Sequence, residues 1–243
     1  MTASQPFHYD FHIHSCLSPC GDGDMTPNNI VNMALLNGLS AIALTDHNSV
    51  KNCPAVMAAG KAAGLLVVPG MELTTAEDIH AVCLFPALEA AQAFGRYVYQ
   101  NLPAIPNRAD IFGEQLVMDR EDNVTEIEER LLLTATSIGL DALPALIEDF
   151  DGVAFPAHID RHSNGALAIL GSLSEDMGFW LAEVSKLACK ADYAARFPFF
   201  QFVSDSDAHE LIDIAECGEE NALPSFFGTA AEIVEYFRSS SKK

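Results

Sequence analysis

The sequence predicts an α/β barrel. The case rests on alternation, on what ends each strand, and on length. Short apolar runs alternate with helical patterns along most of the chain, and about seven of them read as strands. Histidine or acidic residues end nearly every run, which is where barrel enzymes gather their chemistry. The 243 residues suit a barrel built as one unit, and no linker or internal repeat divides them. The expected organisation is one domain over residues 1–243, with an insertion around 101–150.

Phe7–Ile13 is the first strand. Thr26-Pro27 opens a helix, with Thr as N-cap and Pro at the first helical position. Ile30, Val31, Ala34 and Leu35 recur at helical spacing, and Gly38 stops the helix. Leu39–Thr45 is the second strand. An alanine-rich helix runs from Pro54 to Ala63 and closes at Gly64. Leu65–Pro69 and Ile79–Phe85 are the third and fourth strands, expected as parallel βα units. Residues 87–100 are helical. Pro103, Pro106 and Gly113 mark 101–122 as loop. Thr125–Ile138 reads as a helix whose first turn carries Glu126, Glu128 and Glu129, favourable to the helix dipole. Asp141 caps a short helix through Phe150. Gly152–Ala157, Leu181–Val184 and Phe199–Ser204 are further strands, and Thr229–Phe237 is a final amphipathic helix.

Composition narrows the function classes. Thirteen Lys and Arg against 34 Asp and Glu give a formal charge of −21, which argues against coating long nucleic acid but leaves a nucleotide as a small substrate. Hydrophobic residues at 49% and charged residues at 19% are a globular composition. No basic and apolar leader and no membrane-length apolar run is visible, so no membrane partner is expected. Six unpaired-looking cysteines fit a reducing, cytoplasmic setting.

The placement of the eight histidines carries the functional information. His12 and His14 are spaced i, i+2 at the end of the first strand, so they share a face. Asp46-His47 ends the second strand, Glu72 follows the third, His80 begins the fourth, and His158 ends the strand after Gly152. Asp207 and His209 repeat the i, i+2 spacing after Phe199–Ser204. One such pair alone is weak. Ligand types at so many strand ends point together to a metal centre.

These stretches resemble the PHP (polymerase and histidinol phosphatase) family. The matching runs are Asp10-Phe11-His12-Ile13-His14-Ser15, Thr45-Asp46-His47-Asn48, Pro156-Ala157-His158 and Ser206-Asp207-Ala208-His209, in the family's order. Gly70-Met71-Glu72 and His80 also sit where the family places ligands. The resemblance implies a distorted (β/α)7 TIM-like barrel with two or three divalent cations, Zn, Mn or Fe. It assigns His12, His14, Glu72 and Asp207 to the first cation, and Glu72, His80 and His158 to the second. His47 and His209 go to the third. Asp22 is favoured to complete the third set because its Asp-Gly pair is preserved, with Cys20 and Asp24 as competitors. Asp207 or His209 can double as proton donor.

Imidazole and carboxylate donors suit these metals without choosing among them. Two cations sharing a carboxylate acidify a water for attack on phosphorus. The expected enzyme is therefore a phosphatase acting on a small phosphate ester such as histidinol phosphate or a 3′,5′-bisphosphate. Arg161 is the choice for gripping phosphate, since a guanidinium matches it bidentately, although pairing with a surface acid is the plain alternative. His162 is a weaker candidate for the same role. Lys51 and Lys186 read as solvated, as does the Glu126–Glu129 run. His8 reads as structural, about 13 Å from His12 at ~3.3 Å per residue. Asp10 and Asp46 are expected to orient ligand imidazoles. A phosphodiesterase step, or exonuclease action on short oligonucleotides, stays open in the same metal site. The competing readings are a C–N hydrolase of the amidohydrolase type and a non-catalytic metal-binding domain.

Overall fold

The first helix begins where its capping signal places it. Thr26 Oγ1 accepts a hydrogen bond from Asn29 N at 3.4 Å, and Pro27 occupies the first turn, where its missing N–H costs nothing. The computed structural model describes residues 6–240. Its first half follows the predicted order: β1 (Phe7–Ile13), α1 (Pro27–Leu36), β2 (Ala41–Leu44), α2 (Cys53–Ala63), β3 (Leu66–Thr74), β4 (His80–Leu84) and α3 (Leu88–Asn101). Gly64 ends α2 at φ +83, a conformation that side-chain-bearing residues seldom adopt. The second half holds α4 (Ala109–Phe112), β5 (Leu116–Met118), β6 (Val124–Ile127), α5 (Leu143–Glu148), β7 (Val153–Pro156) and α6 (Ala166–Leu170). It closes with β8 (Leu181–Ser185), α7 (Lys190–Arg196), β9 (Gln201–Asp205), β10 (Ala222–Leu223) and α8 (Ala230–Ser240).

Six strands form one sheet in the order β10-β1-β2-β3-β4-β7, and β8 pairs with β9 separately. The α/β class holds. A continuous (β/α)7 barrel does not, because no ladder joins β7 to β8 or β9 to β1. Scattered bonds span both gaps: Ile159 N donates to the Glu183 carbonyl at 2.9 Å, and across the other gap Phe11 N donates to Asp205 Oδ1 at 2.6 Å and His14 N to the Ala208 carbonyl at 2.9 Å. The fourth strand also departs from expectation. Only Thr75–Ile79 separates β3 from β4, too short for a crossover helix, so the two pair antiparallel from Thr74↔His80 to Gly70↔Leu84. This reversal puts the beginning of β4 beside the end of β3.

The sheet packs apolar residues on both faces. Ile42, Leu44, Val67, Met71 and Leu73 meet residues of α1, α2 and α3. Phe7, Tyr9, Phe11, Val68, Val82 and Phe155 meet Ile233, Val234 and Phe237 of α8. A fully buried phenylalanine such as Phe11 or Phe155 contributes roughly 1.5–3 kcal/mol by leaving water.

The predicted helix over Thr125–Ile138 is absent. Val124–Ile127 instead pairs with β5 as a hairpin, and the chain beyond is held extended by two buried amides. Gln115 Nε2 donates to the carbonyls of Glu128 and Arg130, and its Oε1 accepts from Leu132 N. Asn48 Nδ2 donates to the carbonyls of Leu132 and Thr134. The acidic run meets a cation rather than a helix terminus: Lys51 Nζ lies 2.6 Å from both Glu126 and Glu128. Among the described residues no helix is long and apolar enough to cross a membrane.

Candidate metal centre

Glu72 is the middle of the site. It sits in β3 and is 1% exposed. Five imidazoles crowd its two oxygens. Oε1 is 3.2 Å from His12 Nε2, 2.9 Å from His80 Nδ1 and 3.0 Å from His158 Nε2. Oε2 is 2.9 Å from His47 Nδ1 and 3.4 Å from His14 Nε2. Each histidine arrives from a strand end, His80 through the reversed β4. Asp207 closes the ring, with Oδ1 at 3.3 Å from His12 Nε2 and 3.1 Å from His14 Nε2. His158 (φ +27) and Asp207 (φ +51) hold left-handed backbone that few such residues adopt, a strain that surrounding bonds must sustain.

The imidazoles are oriented from behind. His12 Nδ1 bonds Glu183 Oε2 at 2.8 Å, His14 Nδ1 bonds Ser18 Oγ at 3.0 Å, and His209 Nδ1 donates to the Asp207 carbonyl at 2.9 Å. Each bond leaves Nε2 as the free lone pair, the arrangement of a metal-ligating histidine. Seven atoms around Glu72 are buried without a hydrogen-bond partner. They are His12 Nε2, His14 Nε2, His47 Nδ1, His80 Nδ1, His158 Nδ1, Glu72 Oε2 and Asp207 Oδ1. So many unpaired buried polar atoms would be costly in a merely structural cluster, and divalent cations fit them.

Charge reinforces this reading. Burial alone would raise the Glu72 carboxyl, yet the imidazoles of His80, His12 and His47 hold it well below the usual carboxylate range. Burial opposes a charged His12, yet Glu183, Asp207 and Glu72 outweigh it and raise His12 well above an ordinary histidine. Burial, with His209 and His47 nearby, pushes His14 well down.

Three donor sets emerge, each with its atoms within 4.8 Å of one another: His12, His14, Glu72 and Asp207; His47, Glu72 and His80; and His14, Cys20, His47 and His209. His158 joins the centre through Glu72. Asp22 does not. It lies on an exposed turn, where its Oδ1 accepts from Asp24 N at 2.8 Å. Cys20 stands in the third set instead. The β1–α1 loop turns tightly there: Gly21 N donates to the Ser18 carbonyl at 2.8 Å, and a Cβ at Gly21 would lie 2.3 Å from the Ser15 carbonyl oxygen. Asp24 is exposed on the same loop.

Arg161 reaches the centre: its Nη1 lies 2.5 Å from Asp207 Oδ2, with the side chain 45% exposed. The acid it pairs with belongs to the site itself. Arg161, His162 and Cys20 line a cavity of about 480 Å³ together with His47, His80 and His209. Lys186 pairs with Asp213 at the surface, and His8 pairs in register with Ala222, away from the cluster. Two expectations about supporting residues change. Asp10 accepts from the backbone N–H groups of Ser206 and Ala215, so it ties β1 to the Asp207 segment and orients no imidazole. Asp46 accepts from Ser15 and from Ser18 Oγ, and Ser18 in turn holds His14, so Asp46 acts on His14 through a hydroxyl. Glu183 was not singled out. Its signal was an acid inside the apolar run Leu181–Val184.

An α/β fold with buried carboxylates and imidazoles gathered at its strand ends defines a metal-dependent hydrolase. Residues 10–210 match the model of the PHP domain, and the chain belongs to that family. It is 33% identical over 79 residues to a 5′-3′ exoribonuclease of Haemophilus influenzae, covering 31% of this chain and 28% of that protein. It is 31% identical over 112 residues to a 5′-3′ exoribonuclease of Salmonella typhimurium, covering 39% of this chain and 37% of that protein. The matched part thus spans about a third of these curated relatives. Two solved structures share the fold. The lesion-specific endonuclease of Pyrococcus furiosus superimposes with a TM-score of 0.63 at 18% identity, over 85% of this chain and 49% of that one. An amidohydrolase of Chromobacterium violaceum superimposes with a TM-score of 0.60 at 20% identity, over 94% and 96%.

These relatives overturn the expected partner. The ligand chemistry and the resemblance predict a small phosphate ester, and net charge argues against long nucleic acid, whereas the curated relatives are named for ribonuclease activity. Net charge describes the whole surface, and a cavity lined by Arg161 and several imidazoles sets its own field.

Proposed function

We propose that this chain is a metal-dependent phosphodiesterase that hydrolyses nucleic acid from a strand end, with short single-stranded RNA as its first substrate. The observation that carries the hydrolytic reading is the Glu72 carboxylate, ringed by five imidazoles, four of whose facing atoms are buried without hydrogen-bond partners. The choice of a polynucleotide rests on the relatives named exoribonucleases. An acidic protein that grips an end needs to contact few phosphates, which reconciles a charge of −21 with such a substrate.

His12, His14, Glu72 and Asp207 would hold one divalent cation, and Glu72, His80 and His158 a second. His47 and His209 serve a third, with Zn, Mn and Fe the candidate metals. Bound cations supply Lewis acidity, acidifying water and offsetting charge on the phosphoryl oxygens. The chain's own groups do the rest. Arg161 binds a phosphate oxygen at the cavity mouth, with His162 beside it. Asp207 makes only acceptor contacts, to Arg161 and to the imidazoles of His12, His14 and His209, and His209 as a ligand has both nitrogens engaged, so the leaving oxygen takes its proton from solvent.

The test uses linear and circular single-stranded RNA and DNA with Mn²⁺ or Zn²⁺, and His14→Ala as the blank. Mononucleotide release from linear RNA, with the circle resistant and the variant inactive, is the expected result. Failure to cut any linear strand by a protein that carries metal would remove the reading.

A further inference from the structure

The first two donor sets contain only imidazole and carboxylate. The third differs in kind. Cys20, His47 and His209 bring a sulfur and two imidazoles within 4.8 Å of one another, with no carboxylate among them. His14 also reaches this set, but Ser18 holds its Nδ1 and its Nε2 faces Glu72 and Asp207. His47 is 3% exposed, and its Nδ1 lies 2.9 Å from Glu72 Oε2, so its other nitrogen is the one left for the mouth. Cys20 is exposed as a residue and lines the cavity, with its sulfur within 4.8 Å of the imidazole nitrogens of the set. The other cysteines lie outside every donor set among the described residues.

A thiolate with two imidazoles is a soft, borderline donor set. It favours Zn²⁺, Fe²⁺ or Co²⁺ over Mn²⁺ and Mg²⁺, whereas carboxylate-rich sets accept the harder ions. Three protein donors also leave a coordination position open toward the cavity.

We propose that Cys20 is a metal ligand, and that with His47 and His209 it makes the mouth site selective for a thiophilic divalent cation, unlike the two inner sites. This rests on the reading of the centre as one that binds divalent cations.

The test is Co²⁺ titration of the metal-free full chain, followed by absorption spectroscopy and metal counting. A thiolate bound to Co²⁺ gives a charge-transfer band in the near ultraviolet, while imidazole and carboxylate sites give only weak visible bands. The expected result is that band in the parent protein and in Cys189→Ser. Cys20→Ser should lose it, bind one Co²⁺ fewer and keep the visible bands of the inner sites. Cys20→Asp should lose the band and regain Mn²⁺ at the mouth. A folded parent that binds Co²⁺ without the band, or a Cys20→Ser variant that keeps it, overturns the assignment and leaves the hydrolase reading intact. A parent that binds no cation at all overturns both, and circular dichroism of each variant checks that it has folded.

Discussion

Around Glu72 the donors are buried, apart from the half-buried His80, and each imidazole lies within 3.4 Å of a Glu72 oxygen, with His12 backed by Glu183 and His14 by Ser18. At the cavity mouth Cys20, His209 and Arg161 are exposed or half-buried, with His209 held by the neighbouring Asp207 carbonyl and Arg161 by the Asp207 carboxylate. The inner set is thus rigid before any ligand arrives, because moving one imidazole would break a bond to a buried carboxylate or hydroxyl. The mouth can adjust to its cation and to a phosphate without disturbing the core. Stability and metal retention should therefore follow the inner residues, and substrate affinity the outer ones.

The most severe test of that division is Glu72→Gln. The amide cannot serve as a negatively charged bridge and would face the imidazoles with two donor hydrogens. Activity should fall by more than about 100-fold, the upper end for losing a partner one step removed from the metal. Metal analysis should show both inner cations weakened. Retention of both with normal turnover would end the role given to Glu72. Glu183→Ala comes next. Glu183 bonds His12 Nδ1 and also accepts from His158 N at 3.0 Å, so it supports two ligands without being one. Its loss should weaken metal affinity roughly 10–100-fold. Raising the metal concentration should restore much of the activity, which a purely structural residue would not allow.

Protons compete with the inner cation. Burial opposes a charged His12, but Glu183, Asp207 and Glu72 outweigh it and raise its pKa well above that of an ordinary histidine, which favours its protonated form in the metal-free protein. Binding a cation must expel that proton. Affinity should rise with pH, about tenfold per unit for one displaced proton, and fall in acid. Metal titrations at two pH values in buffers of different ionisation enthalpy would count the protons, and a pH-independent affinity would contradict the protonated His12. At the mouth, Arg161→Ala should leave metal content unchanged and raise KM by about 3–10-fold, a charge-assisted bond discounted for exposure. A fall in metal content instead would place Arg161 with the inner group, through its bond to Asp207.

The contrast also marks what the sequence reveals. His12 and His14, Asp207 and His209, and the lone His47, Glu72, His80 and His158 are legible because each sits at the end of a short apolar run, and local periodicity finds such ends. The residues that hold them are not. Glu183 lies 171 positions from His12, and nothing local announces the pairing. Asp22 and Cys20 were separable only by the loop's path, which turns on Gly21 and the bond from Asp22 N to the His209 carbonyl. The gaps beside the β8–β9 pair escaped for the same reason, since apolar runs show strands but not whether their edges meet.

The segment 124–138 misled most, and it offers the smallest effect. Its helical pattern is overridden by Gln115 and Asn48, which bind its backbone as an extended strap, while Lys51 pairs with Glu126 and Glu128. The Lys51 pairs are partly exposed, and such pairs contribute about 0–1 kcal/mol. Glu128 is the exception: it is 3% exposed and also accepts from Tyr99 Oη at 3.2 Å and from Arg130 N at 2.8 Å, so it keeps partners when the lysine is removed. Lys51→Met should therefore lower stability by no more than ~1 kcal/mol, read as a small shift in the denaturation midpoint, with metal content and KM unchanged. Asn48→Ala should cost more, because Asn48 Oδ1 also accepts from Thr74 N at 3.0 Å, two residues past Glu72, and its removal leaves that buried N–H without a partner. If Lys51→Met instead lowered metal affinity, the strap would have to be counted as part of the inner region, and the division between a rigid centre and an adjustable mouth would fail.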